Sequence, residues 1–265
     1  MSKEPSAPVT RQRSDRAYRR VLLGSNITVA LCALAWVAYV APNLTSPAIP
    51  QIAGRISRGE RYDLDQLRQI IAENLPAARR QCSVKSMREL LLLQLAIADE
   101  STRRDSMKRA DADTEAVASA SRALLLCAPS EGLGWLGSYW SAIRQEGFGP
   151  RPAALLGLSY KFAPHEAWLQ LIRAPLALRV HGALSPELKD NAIQDFADVF
   201  GARLFPSAAA LYQTAAAGAR AELLDRTCNA PETDQELFRH YVADKGFQLR
   251  HRCYPSDDRP AYLRD

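Results

Sequence analysis

Four histidines, five cysteines and a scatter of carboxylates are the residues of this 265-residue chain that could do acid–base, metal or thiol chemistry. Their spacing restricts them sharply. His165-Glu166 opens like H-E-x-x-H, which sets two imidazoles one helical turn apart for zinc with the Glu as base, but residue 169 is Leu and the second ligand is missing. His165 reads instead as part of a helix start after Pro164. His240, His251 and Cys253 have ligand types that suit zinc, yet their spacing matches no metal motif, and a solvated basic face is the simpler account. His181, beside Gly182, stands where a helix C-terminus favours positive charge. There is no G-x-S-x-G nucleophile turn, and no two carboxylates are paired by spacing. The sequence therefore assigns no catalytic residue, no metal and no cofactor.

Gly132, Gly134 and Gly137 spell G-x-G-x-x-G, the pattern of a dinucleotide-binding turn. That turn needs a strand running directly into the first glycine and an acidic residue about 20 positions on. Here Pro129, Ser130 and Glu131 intervene, and no acid lies between Glu146 and Glu166. Close packing at a helix start accounts better for the glycines.

The elements that would position any site begin with Val21–Val40, twenty residues without a charge. As a helix this run spans roughly 30 Å, the hydrocarbon thickness of a bilayer. Six basic and two acidic side chains precede it, and the first charge after it is Arg55. This asymmetry predicts a cytoplasmic N-terminus and a translocated remainder. A cleaved signal peptide is the rival reading, disfavoured by the length of the apolar run. The tail nets +4 of the chain's +5, so the basic pI marks topology and argues against nucleic acid as a partner.

The domain plan is a basic cytoplasmic tail (1–20), a transmembrane helix (21–40), a Pro- and Gly-rich linker (41–62), a helical domain (63–254) and a C-terminal tail (255–265). Within the domain, Asp63 and Gln66 form a capping box, Leu64, Leu67 and Ile71 follow at helical spacing, and Pro76 is expected to stop the run. Further starts are expected at Ser83, Asp113, Ser185-Pro186-Glu187, Ser207 (a long helix through Leu211, Ala215, Ala219 and Leu223) and Pro231-Glu232, with Gly246 ending the last. In that last helix Leu237, Phe238 and Tyr241 should point inward. No sustained alternating segment occurs, so the class is all-α.

Cys32 falls in the apolar run, and Cys82, Cys127, Cys228 and Cys253 all lie beyond it, an even number in a disulfide-permitting compartment. Cys82 precedes one helix and Cys127 ends the next, so antiparallel packing brings them to one end of the pair. Cys228 and Cys253 flank the Pro231 helix in a similar way. The expected bridges are 82–127 and 228–253.

"ASRALLLCAP" (120–129, with Ser119 before it) and "LLGLSYKFAP" (155–164) end on prolines 35 residues apart, and each is followed by a tryptophan, Trp135 and Trp168. Ala120, Ala123 and Cys127 in the first correspond to Leu155, Leu158 and Phe162 in the second. A period near 34 with two helices per unit is that of tetratricopeptide (TPR) repeats. The stretches "CAPSEGLGWL", "RQEGFGP", "LSYKFAPHEAWLQLIRAPLAL" and "LFRHYVADKGFQL" resemble a group of bacterial inner-membrane proteins associated with exopolysaccharide synthesis. The resemblance covers about half the chain and implies a periplasmic helical domain linked to polysaccharide production. It brings no catalytic residues.

The fold class expected is thus all-α, with one transmembrane helix and a periplasmic TPR-like domain. It implies a binding or scaffold protein in envelope assembly, with an envelope enzyme acting on glycan or peptidoglycan as the alternative. First helices of TPR pairs line a concave surface. Tyr139, Arg144, Gln170 and Arg173 lie off the leucine stripes of those helices and should face that groove. Two arginines favour an acidic partner, an envelope protein or an acidic polysaccharide.

Overall fold

In the computed structural model, residues 10–44, 62–104 and 107–254 are described. The expected linker, the C-terminal tail and the first nine residues lie almost wholly outside them. The described residues form eleven α-helices and no strand. Two compact units divide the chain, Met1–Gly54 and Arg55–Asp265.

The first unit contains α1 (Thr10–Leu44). Its segment Arg19–Ala38 is long and apolar enough to cross a membrane, with mean hydropathy 2.0. Every side chain described in it is exposed, including Val21, Leu34 and Trp36.

The second unit contains α2 (Leu64–Arg80), α3 (Val84–Arg104), α4 (Met107–Cys127), α5 (Gly132–Glu146), α6 (Pro150–Phe162), α7 (Ala167–Arg179), α8 (Pro186–Gly201), α9 (Phe205–Thr214), α10 (Ala217–Thr227) and α11 (Glu232–Asp244). From α2 to α6 each helix packs on the next. Beyond them α7 and α8 pair, and α9, α10 and α11 close around α8. Connections of three or four residues fold α4, α5, α6 and α7 back on one another.

Local chemistry explains most boundaries. Asp63 caps α2 by accepting from Asp65 N–H at 2.9 Å, and Ser185 caps α8 by accepting from Leu188 N–H, with Pro186 next. Gly246 ends α11 at φ 80°, as the sequence indicates. Three boundaries differ from expectation. Pro76 does not stop α2, because the buried face continues through it to Ala78. The α4 helix begins at Met107 rather than Asp113, whose carboxylate instead receives Arg68 of α2 at 2.9 Å. The long alanine-rich helix is two helices. Ala215 turns extended at ψ 143°, and Ala216 N–H donates to Leu178 O at 3.0 Å, a tertiary bond that outcompetes helix continuation.

The core differs in register from the repeat alignment. In α6 the buried side chains are Pro152, Leu156, Ser159 and Tyr160, while Leu155 and Leu158 are half-buried and Phe162 is exposed. In α11 Phe238 and Val242 are buried, but Leu237 is exposed.

Candidate functional site

The glycine cluster is structural. Gly132, Gly134 and Gly137 all lie inside α5 and are buried. A Cβ on Gly132 would collide with Ala163 Cβ, one on Gly137 with the Ser121 hydroxyl, and one on Gly134 would lie 2.8 Å from Leu125. Their lack of side chains lets α5 approach α4 and the α6–α7 turn closely. Glu131, just before α5, is buried and receives both Arg88 Nε at 3.1 Å and Arg88 Nη2 at 2.6 Å. A carboxylate at a helix N-terminus matches the positive end of the dipole.

Of the four residues expected to face a groove, three are buried instead. Tyr139 has no exposed surface because α5 is packed on several sides, by α3, α4, α6 and α7. Its hydroxyl has no hydrogen-bond partner among the described residues, and burial pushes its pKa up to about 12. Gln170 is buried and donates to Asp198 at 2.6 Å. Arg173 is fully buried. Its Nε and Nη2 donate to the two Asp195 oxygens at 2.9 Å each, and its Nη1 donates to Ser159 O at 3.1 Å and Ala163 O at 3.0 Å. The guanidinium lies 3.9 Å from the Tyr160 ring centroid. Arg173 thus closes the C-terminus of α6 and pairs α7 with α8, engaging four of its five N–H donors. Burial raises the Asp195 carboxyl above its usual range against the pull of Arg173, and raises the Tyr160 phenol well above its own.

Arg144 alone is at the surface. Its guanidinium lies 4.9 Å from the Trp140 ring centroid and donates to the Thr102 hydroxyl at 2.9 Å. With Asp111, Thr114 and Gln145 it lines an open polar depression of about 440 Å³. A second depression, about 760 Å³ and more apolar, runs between α6 and α8 past Ala153, Gly157, Leu158 and Leu188.

The cysteines meet in the expected pairs. Cys82–Cys127 and Cys228–Cys253 are disulfides with Cα–Cα distances of 5.5 and 5.3 Å. Cys82 occupies the left-handed region at φ 47° after α2. Its N–H donates to Arg79 O at 3.2 Å and Ser83 N–H donates to Ala78 O at 3.0 Å, the Schellman pattern that usually takes glycine.

Around the second bridge the structure gathers groups that were not expected together. His251 Nδ1 lies 3.3 Å from Cys253 Sγ and 3.8 Å from Cys228 Sγ, and its Nε2 lies 3.4 Å from Asp225 Oδ1. All three candidate ligand atoms fall within 4.8 Å of one another. His240, weighed with His251 and Cys253 as a metal ligand, points elsewhere, its Nε2 3.5 Å from Asp244. The missing partner was Cys228, 23 residues before His251 and on another element; residue types were visible, their convergence was not. While the bridge is closed its sulfurs are not thiolates, the form that binds metal. Comparison with protein-family models, curated proteins and solved structures finds no match to this chain.

Proposed function

We propose that the chain is a single-pass inner-membrane protein whose TPR-like helical domain acts in the periplasm as a binding or scaffold module in envelope assembly, in polysaccharide synthesis or export. The observation that carries this reading is the apolar segment Arg19–Ala38, exposed along its described length and following a basic tail. A helix of that kind with that flank anchors a chain with its N-terminus inside. The two bridges in the helical unit support an oxidising compartment for it. Helices joined by short turns and packed in chain order from α2 to α6 support the repeat reading. The resemblance described above supplies the link to polysaccharide.

Arg144 is the surface residue of this reading. Stacked on Trp140 and set in a polar depression, it offers a fixed cation to an acidic group, on an envelope protein or an acidic polysaccharide. The test has two parts. A periplasm-dependent reporter fused after Asp265 should be active, and the protein should stay in membranes through a salt wash; a soluble product shortened near residue 41 overturns the anchor. Arg144→Glu should lower polysaccharide output or partner capture while the helical signal is unchanged. Unchanged output and capture with an intact fold remove this surface from the function.

A further inference from the structure

We propose that Cys228–Cys253 is a thiol–disulfide exchange site, assisted by His251 and Asp225, that takes electrons from the dithiol of another protein. The grounds are the groups around the two sulfurs. Asp225 Oδ1 faces His251 Nε2 at 3.4 Å, which favours the proton on Nε2 and leaves Nδ1 toward the bridge. Nδ1 is nearer Cys253 Sγ (3.3 Å) than Cys228 Sγ (3.8 Å). Cys228 Sγ lies 3.4 Å from Leu224 O. The two sulfurs are therefore unlike. Cys253 has a base and incipient cation beside it, which suits a thiolate; Cys228 has a carbonyl beside it, which suits a protonated thiol.

This asymmetry sets the direction of exchange. A thiolate of the incoming dithiol attacks Cys228 Sγ, the S–S bond breaks, and Cys253 leaves as a thiolate beside His251. The mixed disulfide between partner and Cys228 is then cut by the partner's second sulfur. Two electrons pass to the Cys228–Cys253 pair, and the partner becomes a disulfide. Of its two thiol protons, one ends on Cys228 Sγ and one on His251. No further reactant is needed.

Both cysteines and His251 are half-buried, so an incoming thiol need not unfold the domain to reach them. Among the described residues the charged groups around the imidazole are Asp225 on α10 and Arg252, which also binds Asp225 at 2.6 Å. From α11, neutral Gln235 donates to Cys228 O and Ala230 O, and Arg239 lies over the Tyr254 ring. Cys82–Cys127 lacks this arrangement: the chain's other histidines, His165, His181 and His240, face Asp198, Glu222 and Asp244. Accessibility alone points the other way, since Cys82 is exposed.

The experiment uses the full chain in detergent, reduced with dithiothreitol, quenched by alkylation at intervals and mapped by peptide. Cys228–Cys253 should open at least tenfold faster than Cys82–Cys127, set below the roughly hundredfold or more of one positioned acid–base group because Cys82 is the more exposed. His251→Ala should slow opening of that bridge by a similar factor, leave Cys82–Cys127 unchanged, and be partly rescued by added imidazole. A histidine that only packed against the bridge would give the reverse, because its loss loosens the site and speeds opening. Equal rates for the two bridges, preferential opening of Cys82–Cys127, or a His251→Ala rate equal to or above the parent's overturns the proposal.

Discussion

The helices on the two sides of α6 are held together by different means. On the α2–α5 side, leucines pack with close backbone approach: Gly134 and Gly137 admit atoms of α4 where a Cβ would stand. On the α7–α11 side they rest on rings and a buried charge. Phe196, Phe200, Phe205, Tyr212, Phe238 and Tyr254 form a chain of ring contacts, with Phe200–Phe238 centroids at 5.3 Å and Phe200–Phe205 at 5.4 Å. Beside them Arg173 and Asp195 are paired out of reach of water. Each side also has one disulfide. The difference teaches that similar helix packing can fail in opposite ways, one side by added volume and the other by lost polar partners.

The largest effect should come from the buried pair. Arg173→Ala leaves Asp195 without its counter-charge and takes the guanidinium away from the Ser159 and Ala163 carbonyls, and should cost about 3–5 kcal/mol in urea unfolding. Replacing both partners with apolar residues, Arg173→Met with Asp195→Leu, should recover much of that loss. If the single substitution is tolerated, the contrast between the two sides fails.

The bridges come next. Their sequence separations are 45 and 25 residues, and loop-closure entropy for those lengths gives about 4 and about 3.5 kcal/mol. Replacing either pair by serine should thus destabilise the chain by nearly equal amounts. Equal stability with unequal rates of reduction would place the distinction between them in local chemistry. A large difference in stability would place it in the surrounding fold.

Glycine substitutions should differ in sign. Gly132→Ala forces a new Cβ against Ala163 Cβ, which is fixed to its backbone, and should cost about 1–3 kcal/mol. Gly157→Ala in α6 meets only Leu188 Cδ2 at 3.8 Å, an ordinary contact, and should stabilise by about 0.5–1 kcal/mol through helix propensity. Thermal melts of the two variants decide this.

The smallest effect is at Tyr139. Its folded pKa, raised by burial to about 12, lies above the unfolded value near 10. The unfolded chain therefore loses this proton first. The associated stability is fully present below pH 10 and is lost as pH rises toward 12. At pH 11 the loss is about 1 kcal/mol. Tyr139→Phe, which also removes a hydroxyl without a partner, should be near neutral at pH 7 and relatively more stable by that amount at pH 11.

Much of the local structure was legible because it depends on neighbours in the chain. Asp63, Ser185-Pro186 and Gly246 cap or end helices through bonds within a few residues. Pro76 and the alanine-rich run misled because buried faces and a bond from Ala216 to Leu178 override local preference. The expected groove misled for a related reason. A stripe of leucines identifies one buried face, but α5 is covered on more than one side, and α7 needs its polar positions to satisfy α6 and α8.

By itself the sequence determined an all-helical chain, one apolar segment of membrane-spanning length after a basic tail, and the two cysteine pairings. Each follows from periodicity, length or the short path between helix ends. Only the tertiary structure decided that Arg173 is a buried partner of Asp195 rather than a surface cation, and that Arg144 is the one groove candidate on the surface. It alone brought His251 and Asp225 to the second bridge. Those outcomes depend on which face of each helix meets another. Distant segments converge there, and no spacing along the chain encodes that meeting directly.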